Sequence, residues 1–275
     1  MRATGKRAYG TFAGLAIAGA AIAGGLILER IRIGDLLSLS AVLLVPGGTL
    51  AAVIIGTPAA TLVSAIRSCR GLFRRQTDKR REAADHILGC AAVSKRLGVS
   101  SMEPVVESLE SGPLRRALLL IVDGVAPQEV RRQMQIDISV EEENAEADAR
   151  VFEQAGGYAP TIGIIGAVIG LIQVMGQLTN VDAVGRGIAA AFTATLYGVA
   201  LANLVLLPLA SRIRARAKGE IEFRELILEG SMAIGEGLSL RLIRARLETL
   251  LEQEASVPLG AVSAGQDEKA ERMTA

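Results

Sequence analysis

The residues of this chain that could do chemistry inside a membrane are few and mild. Within the apolar run from Gly187 to Ala210 lie Thr193, Thr195, Tyr197 and Asn203. Hydroxyls and an amide can hydrogen-bond and orient a neighbour's proton. At membrane depth such side chains are expected to face protein or water rather than lipid. What is missing is equally informative. None of the long apolar runs carries Asp, Glu, His, Lys or Arg in its middle. Proton relays use ionisable groups at depth, so if this chain moves protons another chain must supply the carrier acid.

Enzymatic chemistry has no foothold in the remainder. The sequence contains no Gly-Lys-Ser/Thr phosphate loop, no paired carboxylates in a defensible setting and no cluster with metal-ligand spacing. His86 is the single histidine, and Cys69 and Cys90 give neither a disulfide framework nor a metal pattern. A formal charge of +1 leaves no basic excess for gripping phosphates, which argues against nucleic acid as a partner.

The elements that must position Thr195 and Asn203 are membrane helices. Half of the 275 residues are hydrophobic, 21% are charged and the mean hydropathy is +0.38, too apolar for an ordinary soluble domain. The stretches Tyr158 to Leu178 and Gly187 to Ala210 carry no charge. Each is long enough to cross a bilayer core, which takes roughly 20 helical residues. Gly166 and Gly170 are four apart, and Ala190, Ala194, Gly198 and Ala202 repeat at intervals of four. Stripes of this kind let helix backbones approach closely in lipid.

Two further spans are expected near the amino terminus, at about 11–28 and 36–56. The first follows Arg2, Lys6 and Arg7 like an export signal but is longer than a signal core, and is read as retained. The second contains Pro46-Gly47-Gly48, which predicts a kink with the carbonyl of Val42 deprived of its donor. Basic clusters follow the second span (Arg67, Arg70, Arg74, Arg75, Lys79, Arg80, Arg81) and the fourth (Arg212, Arg214, Arg216, Lys218). The positive-inside rule then places both clusters and both chain ends in the cytoplasm, with short outer connectors at 29–35 and 179–186.

The fold class expected is an all-α integral membrane protein of four spans, with a helical cytoplasmic domain inserted between spans 2 and 3. The divisions are a first membrane hairpin at 1–66, the domain at 67–154, a second hairpin at 155–210, cytoplasmic helices at 211–254 and a disordered tail at 255–275. In the domain, Ile87, Cys90, Ala91 and Leu97, then Leu118, Ile121, Val122 and Val125, recur at helical intervals, punctuated by Gly98, Pro104, Gly112-Pro113 and Pro127. The acidic run Glu141, Glu142, Glu143, Glu146 and Asp148 reads as a solvated helix continuing into the third span. Beyond Gly235 and Gly237, Ser239 is a candidate N-cap for a last helix with Leu242, Ile243, Leu247 and Leu250 on its apolar side.

AGGYAPTIGIIGAVIGLIQVM followed by GIAAAFTATLYGVALANLVLLPLA, with LSLSAVLLVPGGTLAAVIIGTP before and EGSMAIGEG after, resembles the MotA family of flagellar-motor stator subunits within the MotA/TolQ/ExbB group. The pattern combines Ala-Pro at the start of one span, Ala-Thr-Leu-Tyr-Gly in the next and a proline ten residues after that glycine. The resemblance implies a ring, a homopentamer, in the bacterial inner membrane around two copies of a MotB-like partner. The partner's single span bears the ion-carrying Asp, and the ring drives the flagellar rotor protein FliG. It implies no cofactor and no enzymatic turnover, only the proton motive force.

By the same resemblance Thr195 matches the threonine beside the partner's Asp, and Pro160 and Pro208 match prolines of channel and coupling. Proline costs little in the first turn of a helix, a position open to Pro160, whereas Pro208 would cost a continuing helix the bond to Leu204 and bend it. Lys95, standing where the family usually has Arg, and Glu103 match the charges that meet the rotor, with Arg96 as a substitute for Lys95. Ala167 and Ala194 occupy positions where sodium-driven members carry threonines. Methyl groups cannot replace sodium's water, so proton drive is expected. Alternatives are an ExbB/TolQ-type energiser of envelope transport, with three spans and a cytoplasmic loop at 29–35, and a scaffold or passive channel needing no acid-bearing partner.

Overall fold

The computed structural model describes residues 38–72 and 79–252, together with isolated positions at 17, 20, 24 and 28. Apart from those four positions, the expected first span, together with the connector at 29–35, Arg74 and Arg75, and the tail at 255–275, lies outside the described residues. The described chain is helical. In order it forms α1 (Leu39–Gly56), α2 (Ala59–Gly71), α3 (Lys79–Leu97), a 3-10 turn (Val99–Met102), α4 (Glu103–Glu107), α5 (Pro113–Val122), α6 (Pro127–Met175), α7 (Val181–Ala200), a π-helical segment (Leu201–Leu206), α8 (Leu207–Gly235) and α9 (Leu240–Glu252).

Among the described residues three helices are long and apolar enough to cross a membrane: α1, α6, and the continuous helix Val181–Gly235 that comprises α7, the π segment and α8. Ser38 caps α1, its Oγ accepting from the amide of Ala41. Pro46 does not interrupt that helix, which runs unbroken through Pro46-Gly47-Gly48. Asn180 caps α7 through an acceptor bond from Ala183 N at 3.1 Å, so the helix begins inside the connector expected at 179–186.

The chain divides into two compact units, Met1–Gln76 with Val140–Gly219, and Thr77–Ser139 with Glu220–Ala275. In the second, α3, the 3-10 turn, α4, α5, the start of α6, the end of α8 and α9 enclose a core of Ile87, Cys90, Met102, Leu118, Ile121, Val130, Leu226, Ile227, Ile243 and Leu247. The expected punctuation appears. Gly98 adopts φ 92°, Pro104 and Pro113 stand in first turns, and Gly237 adopts φ 67° after α8, a left-handed conformation cheap only for glycine. Ser239 Oγ accepts from Leu242 N at 3.4 Å as the N-cap of α9. Two residues on the expected apolar faces are outside: Leu97 is 73% and Leu242 44% exposed. Leu97 is the last residue of its helix and Leu242 shares the outer side of α9 with Arg241.

The first unit is built differently. Many large hydrophobic side chains point outward, among them Leu43, Leu50, Ile164, Ile172 and Phe192, while the inside is filled mainly by alanines and glycines with Thr49, Thr193 and a few valines. This inversion suits a chain whose solvent is lipid, because burying leucine against leucine gains nothing over lipid and close packing must hold the helices.

Candidate functional site

The site is the antiparallel pair formed by the end of α6 and by α7, which continues through the π segment into α8. Its register follows from where glycines admit the opposing helix. A Cβ on Gly198 would lie 2.5 Å from Ala159 O and 3.1 Å from Pro160 Cα; one on Gly163 would lie 2.9 Å from Ala194 O and 3.3 Å from Thr195 Cα. At Gly170 it would meet Ala191 Cα at 3.1 Å, and at Gly187 it would meet Val174 Cγ2 at 2.4 Å. Of the small-residue stripe expected at intervals of four, Ala194 and Gly198 lie on the contact line and Ala202 is buried, whereas at the far end Ala191 rather than the half-buried Ala190 meets α6; Gly163 and Gly187 extend the line. The helix α1 closes one side. Ala41 and Val45 pack on Ala194, Leu44 reaches Gly166, and Ile162 lies over Gly48.

Thr195 is half-buried in this line. Its Oγ1 donates to Ala191 O at 3.5 Å, the limit of a hydrogen bond, whereas Thr193, two residues away and 4% exposed, donates to Ala189 O at 2.8 Å. The shorter bond satisfies Thr193 within its own helix, and Thr195 holds the more available hydroxyl. Asn203 is exposed and donates to Val199 O at 2.9 Å.

The remaining candidates divide. Ala194 is 2% exposed, with its methyl turned into the chain among Ala41, Val45 and Gly166, while Ala167 is half-buried on α6. Pro160 is not in a first turn: it lies deep inside α6, against the backbone of Gly198. Pro208 instead is the second residue of α8, directly after the π segment, in which Leu207 N donates to Ala202 O. The expected cost of Pro208 is met by one wide turn, which lets the continuous helix pass a residue with no N–H to give Leu204 O. Lys95 and Glu103 belong to the other unit. Lys95 is exposed in the last turn of α3 and its Nζ donates to Gly237 O at 2.9 Å; Glu103, exposed, opens α4. A cation at a helix end and an acid at a helix start are also what helix dipoles favour.

Sequence reasoning missed a polar clasp beneath the hairpin. Arg214 on α8 donates through Nε and Nη2 to both oxygens of Glu146 at 2.8 and 2.9 Å, and through Nη2 to Glu153 at 2.6 Å. Asp148, 4% exposed, accepts from Ser64 at 3.0 Å and from Ser68, and Arg216 donates to Gly71 O. The acidic run read as a solvated face is thus half wrong: Glu146 and Asp148 tie α6 to α8 and α2. Hydrogen bonds from Arg214 hold the Glu146 carboxyl below its ordinary value against a smaller opposing effect of burial, and the Glu146 bonds raise the affinity of Arg214 for its proton.

A group whose folded pKa is lowered stabilises the fold above its unfolded pKa, and that contribution disappears as pH falls through the folded value. Arg214→Gln is therefore expected to lower the melting temperature of the detergent-purified chain at neutral pH. The deficit should shrink steadily below about pH 4, where carboxylates protonate. A deficit independent of pH would mean that the guanidinium acts only by packing.

The comparisons with known proteins agree with this architecture. Residues 105–226 match the model of the MotA/TolQ/ExbB proton channel family. The chain is 31% identical over 224 residues to Motility protein A of Bacillus subtilis, covering 81% of this chain and 83% of that protein. Its structure resembles that of C. jejuni MotAB, with a TM-score of 0.83 at 26% identity over 88% of this chain and 94% of that one. It also resembles the flagellar MotAB stator complex from Bacillus subtilis, with a TM-score of 0.78 at 29% identity over 94% and 97%. With its small-residue hairpin, its long apolar helices and these relatives, the chain belongs to the MotA/TolQ/ExbB proton channel family, as a stator subunit of the flagellar motor.

Proposed function

We propose that this stator subunit works as a ring of identical copies, a pentamer, around a MotB-like partner whose membrane-embedded Asp carries the ion. The observation that carries this reading is the hairpin itself. Its helices are close-packed and apolar, Thr195 offers a hydroxyl, and no Asp, Glu, His, Lys or Arg lies between Tyr158 and Leu178 or between Gly187 and Ala210. A carboxyl group brought by a partner helix completes such a site, and Thr195 then hydrogen-bonds it as its protonation changes. One charge crossing the membrane releases about 2.3 kcal/mol per 100 mV, enough to drive a modest step of the ring without nucleotide.

In this reading the chain crosses the inner membrane four times with both ends in the cytoplasm. The helical domain between spans 2 and 3 presents Lys95 and Glu103 to the rotor protein FliG, and Pro160 and Pro208 shape the channel-side helices. The ion is a proton, because Ala167 and Ala194 offer methyl groups where a sodium path needs oxygen ligands. Expressed with its partner in a strain lacking stators, the chain should restore swimming whose speed follows the proton gradient and is unchanged when sodium is replaced by potassium. Swimming that tracks sodium and survives collapse of the proton gradient would refute the proton assignment.

A further inference from the structure

The helix α2 follows the span α1 after Thr57-Pro58, and one side of it is committed to the protein. Ser64 and Ser68 donate to Asp148, Ala65 packs with Val53, Val151 and Ala155, and Arg216 holds Gly71 O. The opposite side is left outward. Val63 and Ile66 are 55% and 54% exposed, and Arg67 and Arg70 are exposed beside them. At 100° per residue these four fall on a single face. They are also ordered along it, with the apolar pair nearer the span and the cationic pair farther from it.

We propose that this face is a binding site for anionic phospholipid, with Val63 and Ile66 against the upper acyl chains and Arg67 and Arg70 on the lipid phosphates of the cytoplasmic leaflet. The order of residues is the bilayer's own order from hydrocarbon to headgroup. The span length agrees: the 18 residues of α1 reach about 27 Å, a little short of a hydrocarbon core of about 30 Å, so Thr57-Pro58 and the start of α2 lie at its boundary and the α2 face follows directly into the headgroup region. Guanidinium groups suit phosphate oxygens because their planar fork donates two parallel bonds. The lipid then holds the outer side of α2 while Asp148 holds the inner side. The leaflet assignment rests on the proposed topology.

The test is native mass spectrometry of the full chain co-purified with its partner and titrated with phosphatidylglycerol or phosphatidylcholine. The wild type should favour phosphatidylglycerol. Arg67→Gln with Arg70→Gln should lose about 25-fold of that preference, about fivefold for each cation near the headgroups. Arg67→Lys with Arg70→Lys should keep most of it. An unchanged preference in the glutamine variant would overturn the site. So would Ile66→Cys, with Cys69 and Cys90 changed to Ser, giving disulfide-linked copies when isolated native membranes are oxidised with copper phenanthroline, because a second copy would then cover the face. A reporter fused after Gly71 reads the topology separately: a periplasmic signal overturns the leaflet assignment, while a cytoplasmic signal with no lipid preference overturns the site alone.

Discussion

Gly198→Ala should abolish swimming and lower the amount of chain in the membrane. The added methyl would sit 2.5 Å from Ala159 O, 3.1 Å from Pro160 Cα and 3.2 Å from Ala159 C. All three are backbone atoms of α6, so no side chain can turn aside, and the helices must separate along the line that positions Thr195. Overpacking of a tight interior costs about 1–3 kcal/mol, and here it also opens the site. The effect should be graded by what each new methyl meets. Gly187→Ala crowds the Val174 side chain and touches backbone only at Gly170 O, at an ordinary 3.4 Å, and should be milder. Gly157→Ala meets nothing within 4 Å and should swim normally. Soft-agar swarm diameter alongside immunoblotted membrane abundance checks all three, and normal swimming by Gly198→Ala would show that the hairpin is not packed as described.

Pro208→Ala should reduce swimming by about tenfold while the protein still accumulates in the membrane, because it attacks the π segment rather than the packing. With alanine at 208 an amide is available to Leu204 O, and the helix can close to α geometry. Closing removes one residue from the wide turn and rotates everything beyond it by about 100° with a rise of 1.5 Å. Both ends of that turn are fixed: α7 by Gly198 against Ala159, and α8 by Arg214 on Glu146 and Glu153. The variant must therefore keep the wide turn at a cost or strain the clasp. Adding Arg214→Gln to Pro208→Ala releases one end, so the two losses should be less than additive. Full swimming by Pro208→Ala would show that the segment has no part in coupling.

The difference between what could be read and what could not lies in the range of the interactions. Most of the stripe of Ala190, Ala194, Gly198 and Ala202 was visible because helical periodicity is local: the structure buries Ala194, Gly198 and Ala202 with Gly166 and Gly170, and puts Ala191 where Ala190 was expected. The helix breaks at Gly98, Pro113 and Gly237 were legible for the same reason. Arg214 was not. In sequence it is one cation of a basic cluster, and its acids lie 68 and 61 residues away. Asp148 was misread as solvated because Ser64 and Ser68 stand 84 and 80 residues from it. The prolines were half legible: Pro208 does disturb a continuing helix, but no local rule says that a π turn relieves it or that a long helix accommodates Pro160 in its interior. The family resemblance supplied Thr195, and the structure adds that its hydroxyl is more loosely held than that of Thr193.

The central claim is that the chain borrows its carrier acid. It is tested most directly by proton uptake into inverted membrane vesicles containing the chain alone, the MotB-like partner alone, or both. Uptake only where both are present, and lost when the partner's membrane Asp is changed to Asn, is the expected result. Proton flux through the chain alone would contradict the account, because the described hairpin would then conduct without the acid it lacks.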